Sequence, residues 1–323
     1  MSTSLALADM TTLDILSATE EFLADCHLRR LSSTTLQWYK FTLEPFAHFA
    51  SADSVVQVTG ISEQTVRTFL KAQSCRVGAR RVNHYREAIS RLFKWLIVEG
   101  YVTTNPAQNI RKVREPKKLV ASFNEAEVKA LLAQPDQHSF IGLRDYTFML
   151  LLLDSGLRLS EALGLTVRDL DLATGTLRVL GKGNKERLVG FSRTMERHLR
   201  RYLLRRETAL QRAERQNCLW VFPNQDAGKW AAKGVHMRLK RYAQQAGVSR
   251  VRVSPHTFRH TFALWFVRNG GSPFHLQKIL GHASLDMSRR YCELADIDFI
   301  SCQQELSPLA MGSLAGADSR RVR

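Results

Sequence analysis

Apolar residues recur every three or four positions through the first third of the chain, from about residue 12 to residue 110. This spacing places the apolar side chains on one face of a helix. It is clearest in the run Val82, Tyr85, Ile89, Leu92, Phe93, Leu96 and Ile97. Gly100 then follows as a helix C-cap, and Pro45 interrupts an earlier helical stretch, where we expect a kink or a break. The pattern predicts a small helical bundle.

A turn and a basic segment follow the bundle. Asn105-Pro106 marks the turn, and the sequence I-R-K-V-R-E-P-K-K from 110 to 118 is polar, basic and interrupted by proline. Its charge would suit a connector that runs along DNA phosphates, although a solvated tether explains the same composition. The predicted organisation is a helical domain over 1–110, a linker over 111–118, a second domain over 119–311 and a low-complexity, disordered tail over 312–323.

The second half is also mainly helical, with one predicted hairpin. Asn124 and Glu127 have capping-box spacing ahead of a helix, and an apolar helix over 144–153 ends at Ser155-Gly156. Two short β-prone runs within 176–191 flank a Gly-Lys-Gly-Asn turn. Two Ser-Pro pairs, Ser254-Pro255 and Ser272-Pro273, match an N-cap followed by proline in the first helical turn. The sequence therefore predicts a mainly α fold with a small β-hairpin or sheet.

Charge narrows the classes of partner. The 323 residues include 47 Lys and Arg against 30 Asp and Glu, a formal net charge of +17, which favours a polyanion such as nucleic acid. Dense apolar patches such as F-M-L-L-L-L at 148–153 are too short to span a membrane, and the N-terminus lacks a secretory pattern. The five scattered cysteines form no C-x-x-C, which argues against a disulfide framework and a cysteine zinc site. We expect a cytoplasmic, nucleoid-associated protein without a membrane partner.

The sequence V-S-P-H-T-F-R-H-T-F-A, from 253 to 263, leaves three interpretations open. His256 and His260 are four residues apart and could bind a metal from one helix face, but the glutamate of the H-E-x-x-H metalloprotease motif is missing. Arg259 carries a planar set of donors suited to phosphate oxygens. A structural histidine pair is the third interpretation.

Other polar motifs occur in a fixed order around this stretch. They are G-L-R-L-S-E at 156–161, G-K-G-N-K-E-R at 181–187, H-T-F-R-H at 256–260, L-G-H at 280–282 and a tyrosine nine residues after that histidine. Each motif alone has an ordinary explanation, such as a surface arginine or a lysine at a hairpin tip. Together, and over nearly the whole chain, they resemble the tyrosine site-specific recombinases of the phage-integrase family, specifically the compact Xer-type members. In that context the phosphate interpretation of 253–263 is favoured over a metal.

The resemblance assigns roles to residues of this chain. It implies that Tyr291 attacks a DNA phosphodiester and forms a 3'-phosphotyrosyl bond, while Arg158 and Arg259 bind the non-bridging oxygens. Lys182 would protonate the leaving 5'-oxygen, and His282 would hydrogen-bond the phosphate. The remaining assignments are His256 to assist proton transfer, and Glu161 and His260 as supporting residues. No cofactor and no metal are implied, and fixed cations can neutralise the charge that builds on the phosphate.

The same resemblance implies a two-domain, C-shaped DNA clamp with an N-terminal core-binding bundle and a catalytic domain. The expected partners are double-stranded DNA with inverted half-sites and three further copies of the chain in a tetramer on two duplexes. A second recombinase or an accessory DNA-binding protein is left open. The segment 295–306 after Tyr291 is expected to pass to a neighbouring copy, with docking onto its own domain as the alternative.

Several functions share these motifs. Only about a dozen residues precede the first predicted helix, which favours resolution of dimers or cointegrates of a chromosome, plasmid or transposon over an arm-binding integrase. An integrase or excisionase of a mobile element remains the alternative, followed by a type IB topoisomerase. A catalytically inactive DNA-binding regulator and a zinc hydrolase are weaker interpretations, because the tyrosine and both arginines are intact and only histidines favour zinc.

Overall fold

The computed structural model describes residues 13–52, 57–115, 121–181, 186–282 and 284–295. The chain divides into two compact units, residues 1–118 and 119–323. None of the helices described is both long and apolar enough to cross a membrane.

The described part of the first unit is helical. Its α-helices are α1 (Ile15–Leu28), α2 (Ser33–Ala52), α3 (Glu63–Ser74) and α4 (Ala79–Val98), with a short 3-10 helix at Val58–Gly60. Their apolar faces meet in one core, in which Phe46, Phe69 and Leu92 are fully buried. The predicted helical bundle is confirmed. Residues of the predicted linker run along α4, where Asn83 Nδ2 donates to the carbonyl of Val113 and its Oδ1 accepts from the Val113 N–H.

Of the kink or break expected at Pro45, the break does not occur, because α2 continues through the proline as one helix to Ala52. A proline in a helix removes the hydrogen bond to the carbonyl four residues earlier, here that of Phe41. Arg81 Nη2 donates to this carbonyl at 3.4 Å. The side chain from α4 partly compensates the lost bond. Gly100, by contrast, ends α4 as expected, with a φ of 81°.

The second unit combines helices with a small sheet. Its α-helices are α5 (Glu125–Leu132), α6 (Phe140–Ser155), α7 (Leu159–Gly164), α8 (Arg193–Arg212), α9 (Ala232–Gln245), α10 (Pro255–Arg268), α11 (Pro273–Leu280) and α12 (Asp286–Leu294). Its strands are β1 (Leu170–Asp171), β2 (Thr176–Leu180) and β3 (Glu186–Gly190), antiparallel in the order β1-β2-β3. The predicted hairpin is therefore β2 and β3, and β1 was not anticipated.

Local signals fix several helix starts in this unit. Asn124 and Glu127 form the predicted capping box, and the hydroxyls of Ser254 and Ser272 cap α10 and α11 ahead of their prolines. A large core forms around α6, with Phe148, Tyr202 and Phe222 fully buried. A second, smaller apolar cluster joins α10, α11 and α12. The described residues of the ordered motifs lie at the ends and inner faces of these elements, where the candidate site forms.

Candidate functional site

The C-terminal end of α11 binds three arginine side chains. The last carbonyls of a helix have no partner within the helix and carry partial negative charge, so they favour cationic donors. At the end of α11, three consecutive carbonyls each accept a hydrogen bond from an arginine. The pairs are Arg187 Nε with Ile279 O at 2.9 Å, Arg259 Nη2 with Leu280 O at 2.8 Å and Arg158 Nη2 with Gly281 O at 2.9 Å. The helix end therefore gathers positive charge from three separate elements: β3, α10 and the start of α7.

Glu161 links two of these arginines. Its carboxylate accepts from both terminal nitrogens of Arg187 and from Nη1 of Arg158, each at 2.9 Å, and it also caps the Arg158 N–H. Burial alone would raise the pKa of Glu161, but the hydrogen bonds and charge of Arg187 and Arg158 hold it below its usual value. Glu161 is therefore a buried carboxylate that fixes the direction of both guanidinium groups.

Arg259 is the most buried cation of the group, with 6% of its surface exposed. Besides Leu280, it donates through Nη1 to the carbonyl of Gly156 at 2.8 Å. Gly156 ends α6 with a φ of 62°, and a Cβ there would lie 2.3 Å from Phe262 Cδ1. Burial, followed by the charge of Arg158, lowers the pKa of Arg259 to about 10. Two like charges held this close favour an anion between them.

Tyr291 lies beside this cationic group on α12. Its side chain is buried, and its hydroxyl is 2.6 Å from Nδ1 of His260 on α10. Burial raises the pKa of Tyr291, while the charges of Arg259 and Arg290 act in the opposite direction. The hydroxyl is therefore protonated in the structure described, and a cationic side chain is near enough to favour its phenolate.

The other two predicted histidines border the same space. His282 is buried, its Nδ1 lies 2.9 Å from Ser288 Oγ, and its ring is nearly parallel to that of Tyr291. Burial and then the charge of Arg259 lower the pKa of His282 to about 4. His256 is exposed in the first turn of α10, and partial desolvation followed by the charge of Arg259 lowers its pKa. Both rings are neutral at pH 7.

The structure brings together seven of the eight residues singled out in the sequence. They are Arg158, Glu161, His256, Arg259, His260, His282 and Tyr291. Lys182, the eighth, lies outside the described residues.

Sequence reasoning missed Arg187 and Ser288 as parts of the site. Arg187 stands in the G-K-G-N-K-E-R motif, and it shares the inward side of β3 with buried Val189. An arginine on the inward face of a strand was a signal that could have identified it. Ser288 gave no such signal, because its contact with His282 depends on how α12 packs.

The arrangement is suited to an anion with a nucleophile beside it. The described residues contain no group of three or more His, Cys, Asp or Glu side chains placed to hold a metal ion. His260 faces the Tyr291 hydroxyl, so the metal interpretation of the histidine pair loses one of its two ligands. Two guanidinium groups, neutral histidines and a tyrosine hydroxyl can together bind a phosphate and attack it.

Comparison with known families agrees with this chemistry. Residues 121–297 match the model described as the phage integrase family, and residues 10–100 match that of the phage integrase N-terminal SAM-like domain. The first match alone spans more than half of the chain.

Individual relatives cover most of the chain. A tyrosine recombinase XerD of Neisseria meningitidis serogroup B is 31% identical over 83% of this chain and 90% of its own length. A tyrosine recombinase XerC of Xanthomonas campestris pv. campestris is 32% identical over 86% of this chain and 84% of its own length.

Solved structures show the same fold. A XerH site-specific recombinase bound to a palindromic difH substrate superposes with a TM-score of 0.71 at 22% identity, covering 88% of this chain and 83% of that one. A lambda integrase dimer bound to a COC' core site superposes with a TM-score of 0.68 at 16% identity, covering 87% of this chain and 78% of that one. The mainly α fold with a small sheet is thus that of the tyrosine recombinases.

Proposed function

Since the chain belongs to the phage integrase family, whose matched relatives are tyrosine recombinases, we propose that it cuts and rejoins DNA at specific sites through a 3'-phosphotyrosyl bond on Tyr291. The observation that carries this proposal is the placement of Tyr291 beside Arg259, which is held together with Arg158 on one helix end. In-line attack on a phosphodiester gathers negative charge on the non-bridging oxygens, which fixed cations stabilise without reorganising.

Each side chain then has a part in the reaction. Arg158 and Arg259 bind the non-bridging oxygens, since carbonyl acceptors fix both guanidinium groups, and among the described residues their other N–H donors have room for a ligand. His282 donates a hydrogen bond to the phosphate and His256 stands at the exposed edge of the site. Lys182 protonates the leaving 5'-oxygen, a role that rests on the family resemblance. The phosphotyrosyl ester keeps the energy of the broken bond, so rejoining requires no nucleotide cofactor.

The biological role we propose is resolution of dimers or cointegrates of a chromosome, plasmid or transposon. It is supported by the likeness to compact relatives, since the match spans 90% of the length of the Neisseria XerD. The partner is double-stranded DNA with inverted half-sites, bound by four copies of the chain on two duplexes in the cytoplasm, at the nucleoid. The net charge of +17 supports DNA as the ligand. Integration or excision of a mobile element is the alternative role.

Covalent capture tests the proposed chemistry. Duplexes of random sequence are incubated with the protein in excess EDTA, and those that become attached to it under denaturing conditions are sequenced. We expect a recurring pair of inverted half-sites, and recombination between two plasmids that carry the recovered site. A type IB topoisomerase would relax supercoils but would not exchange strands between two plasmids. Failure to attach any duplex would contradict the proposal.

A further inference from the structure

The Tyr291 hydroxyl is enclosed by its own protein. Only 4% of the Tyr291 surface is exposed, and its ring packs in the cluster formed by α10, α11 and α12. Within the described ranges, the hydrogen bond made by its hydroxyl is the one to His260 Nδ1, at 2.6 Å. Any proton that leaves this oxygen as it attacks therefore has a nitrogen already in position to accept it.

The helix geometry separates the tasks of two neighbouring residues. Successive helical residues point about 100° apart, so Arg259 and His260 face different neighbours. Arg259 reaches the carbonyls of Gly156 and Leu280, whereas His260 reaches Tyr291. One turn of α10 thus presents a cation for the phosphate and a base for the nucleophile.

The protonation states fix the direction of the bond between Tyr291 and His260. Burial raises the pKa of the tyrosine, so at pH 7 it is the donor. Burial, followed by the charges of His256 and Arg259, lowers the pKa of His260, so the ring is neutral and Nδ1 carries a lone pair. The ring proton then lies on Nε2, and the hydroxyl donates to Nδ1.

We propose that His260 is a catalytic residue, the general base that takes the proton of Tyr291 during strand cleavage and returns it during rejoining; this rests on the proposed function. In cleavage, the Tyr291 oxygen forms its bond to phosphorus while its proton moves to Nδ1 of His260. The bond from phosphorus to the 5'-oxygen breaks, and that oxygen takes a proton from an acid, the role assigned to Lys182. Rejoining reverses each transfer, and Tyr291 regains its proton from His260.

The other two histidines are less well placed for this role. His282 Nδ1 is engaged by Ser288 Oγ, and its ring lies parallel to the tyrosine ring with centroids 6.4 Å apart. His256 is exposed, and in the part of the chain that the structure describes it makes no hydrogen bond to Tyr291. The proton transfer that the sequence motif suggested for His256 is therefore better assigned to His260.

Single-turnover cleavage tests the assignment. A nicked suicide duplex, built from the site that the wild-type protein captures covalently, is mixed with His260→Ala and His260→Asn variants. Asparagine places an amide oxygen near Nδ1, which can accept the hydrogen bond but cannot hold the proton. We expect both variants to form the covalent complex at least about 100-fold more slowly while binding the duplex as the wild type does. Exposed His138→Ala is the control and is expected to cleave at the wild-type rate.

Added imidazole separates a chemical role from a structural one. A small base that diffuses into the space left by His260→Ala is expected to restore part of the cleavage rate, whereas it cannot restore Tyr291→Phe. A His260→Asn rate equal to that of the wild type, or a His260→Ala rate that imidazole leaves unchanged, would overturn the assignment. If the wild-type protein captured no duplex, the proposed function itself would fail, independently of His260.

Discussion

The Arg187 guanidinium contacts both carboxylate oxygens of Glu161, each at 2.9 Å, while its Nε donates to the Ile279 carbonyl. Arg187 thereby ties strand β3 to the start of α7 and to the end of α11. Glu161 in turn fixes Arg158, one of the two arginines proposed to bind the phosphate. The orientation of a catalytic cation thus depends on a residue that does not itself contact the reacting atoms.

We predict that Arg187→Ala slows strand cleavage by up to about 100-fold, because small displacements of a catalytic group are costly. Glu161 is 4% exposed at its side chain and Arg187 is 16% exposed, so removing the arginine leaves a buried carboxylate with one partner. The free energy of unfolding should fall by about 3 kcal/mol, measured by urea denaturation. Arg187→Lys should recover little of the cleavage rate or the stability, since one ammonium cannot reach both Glu161 oxygens and the Ile279 carbonyl.

An arginine on the same sheet provides the control. Arg178 on β2 is 53% exposed at its side chain and lies 3.5 Å from Asp169, so Arg178→Ala should cost less than about 1 kcal/mol. Equal losses for Arg178→Ala and Arg187→Ala would contradict the positioning role. The double variant gives a further test, because Arg187 is proposed to act through the Glu161 carboxylate. If Arg187→Ala slowed cleavage as much in a Glu161→Gln background as in the wild type, the positioning role would also be contradicted.

A second prediction concerns Gly156, whose carbonyl accepts a hydrogen bond from Arg259. Gly156→Ala places a side chain at a φ of 62° and within 2.3 Å of Phe262 Cδ1 and 2.7 Å of Leu280 Cδ2. We expect a loss of about 2–4 kcal/mol in the free energy of unfolding, from left-handed backbone strain and overpacking. Gly164→Ala is the matched control, since a Cβ there meets no atom within 4 Å. Similar unfolding midpoints for the two variants would show that the close packing around Gly156 is wrong.

The buried histidine gives a third prediction, for the pH dependence of stability. The pKa of His282 is about 4 in the folded protein, below the value of about 6.5 for an unfolded chain. Between these values the unfolded chain binds more protons, so stability is fully present above pH 6.5 and is lost as the pH falls toward 4. His282→Asn should therefore lose less stability between pH 7 and pH 5, by about 2 kcal/mol. Urea denaturation at the two pH values measures the free energy of unfolding. An equal change between pH 7 and pH 5 for the wild type and His282→Asn would refute the prediction.

Assembly is the subject of the fourth prediction. The segment 295–306 after the nucleophile lies almost entirely outside the described residues, and its sequence A-D-I-D-F-I-S-C-Q-Q-E-L carries few apolar side chains. Such a segment needs a surface to dock on. A chain truncated before Asp296 should still bind single half-sites but lose cooperative pairing and most recombination, whereas truncation at Gly312 should be mild. Cooperative binding by the shorter chain, in a gel-shift titration, would exclude exchange through this segment.

Local features of this fold were predictable from the sequence. The capping box at Asn124 and the serine caps ahead of Pro255 and Pro273 depend on residues within three or four positions of one another. Of the kink or break expected at Pro45, the break does not occur. The arginine from another helix that reaches the Phe41 carbonyl left free by the proline is a non-local contact, which spacing could not predict. Strand β1 has two residues, too few to show a period.

Most members of the site were predictable from the sequence, but Arg187 and Ser288 were missed, and the contacts between the members could not be predicted. The motif order identified Arg158, Arg259 and Tyr291, whose catalytic roles stay predictions. That Arg158 donates to the Gly281 carbonyl, 123 residues away, could not be derived from spacing. The same holds for the bond between His260 and Tyr291, because it is created by the packing of α12 on α10.

In the proposed reaction, Tyr291 becomes covalently joined to DNA. The most direct measurement is mass spectrometry of the peptide that stays attached to a nucleotide after the captured complex is digested with protease and nuclease. We expect a nucleotide on Tyr291 through a 3'-phosphate, and no adduct for Tyr291→Phe, which should still bind the duplex. A nucleotide on another residue, or an adduct formed by Tyr291→Phe, would contradict it.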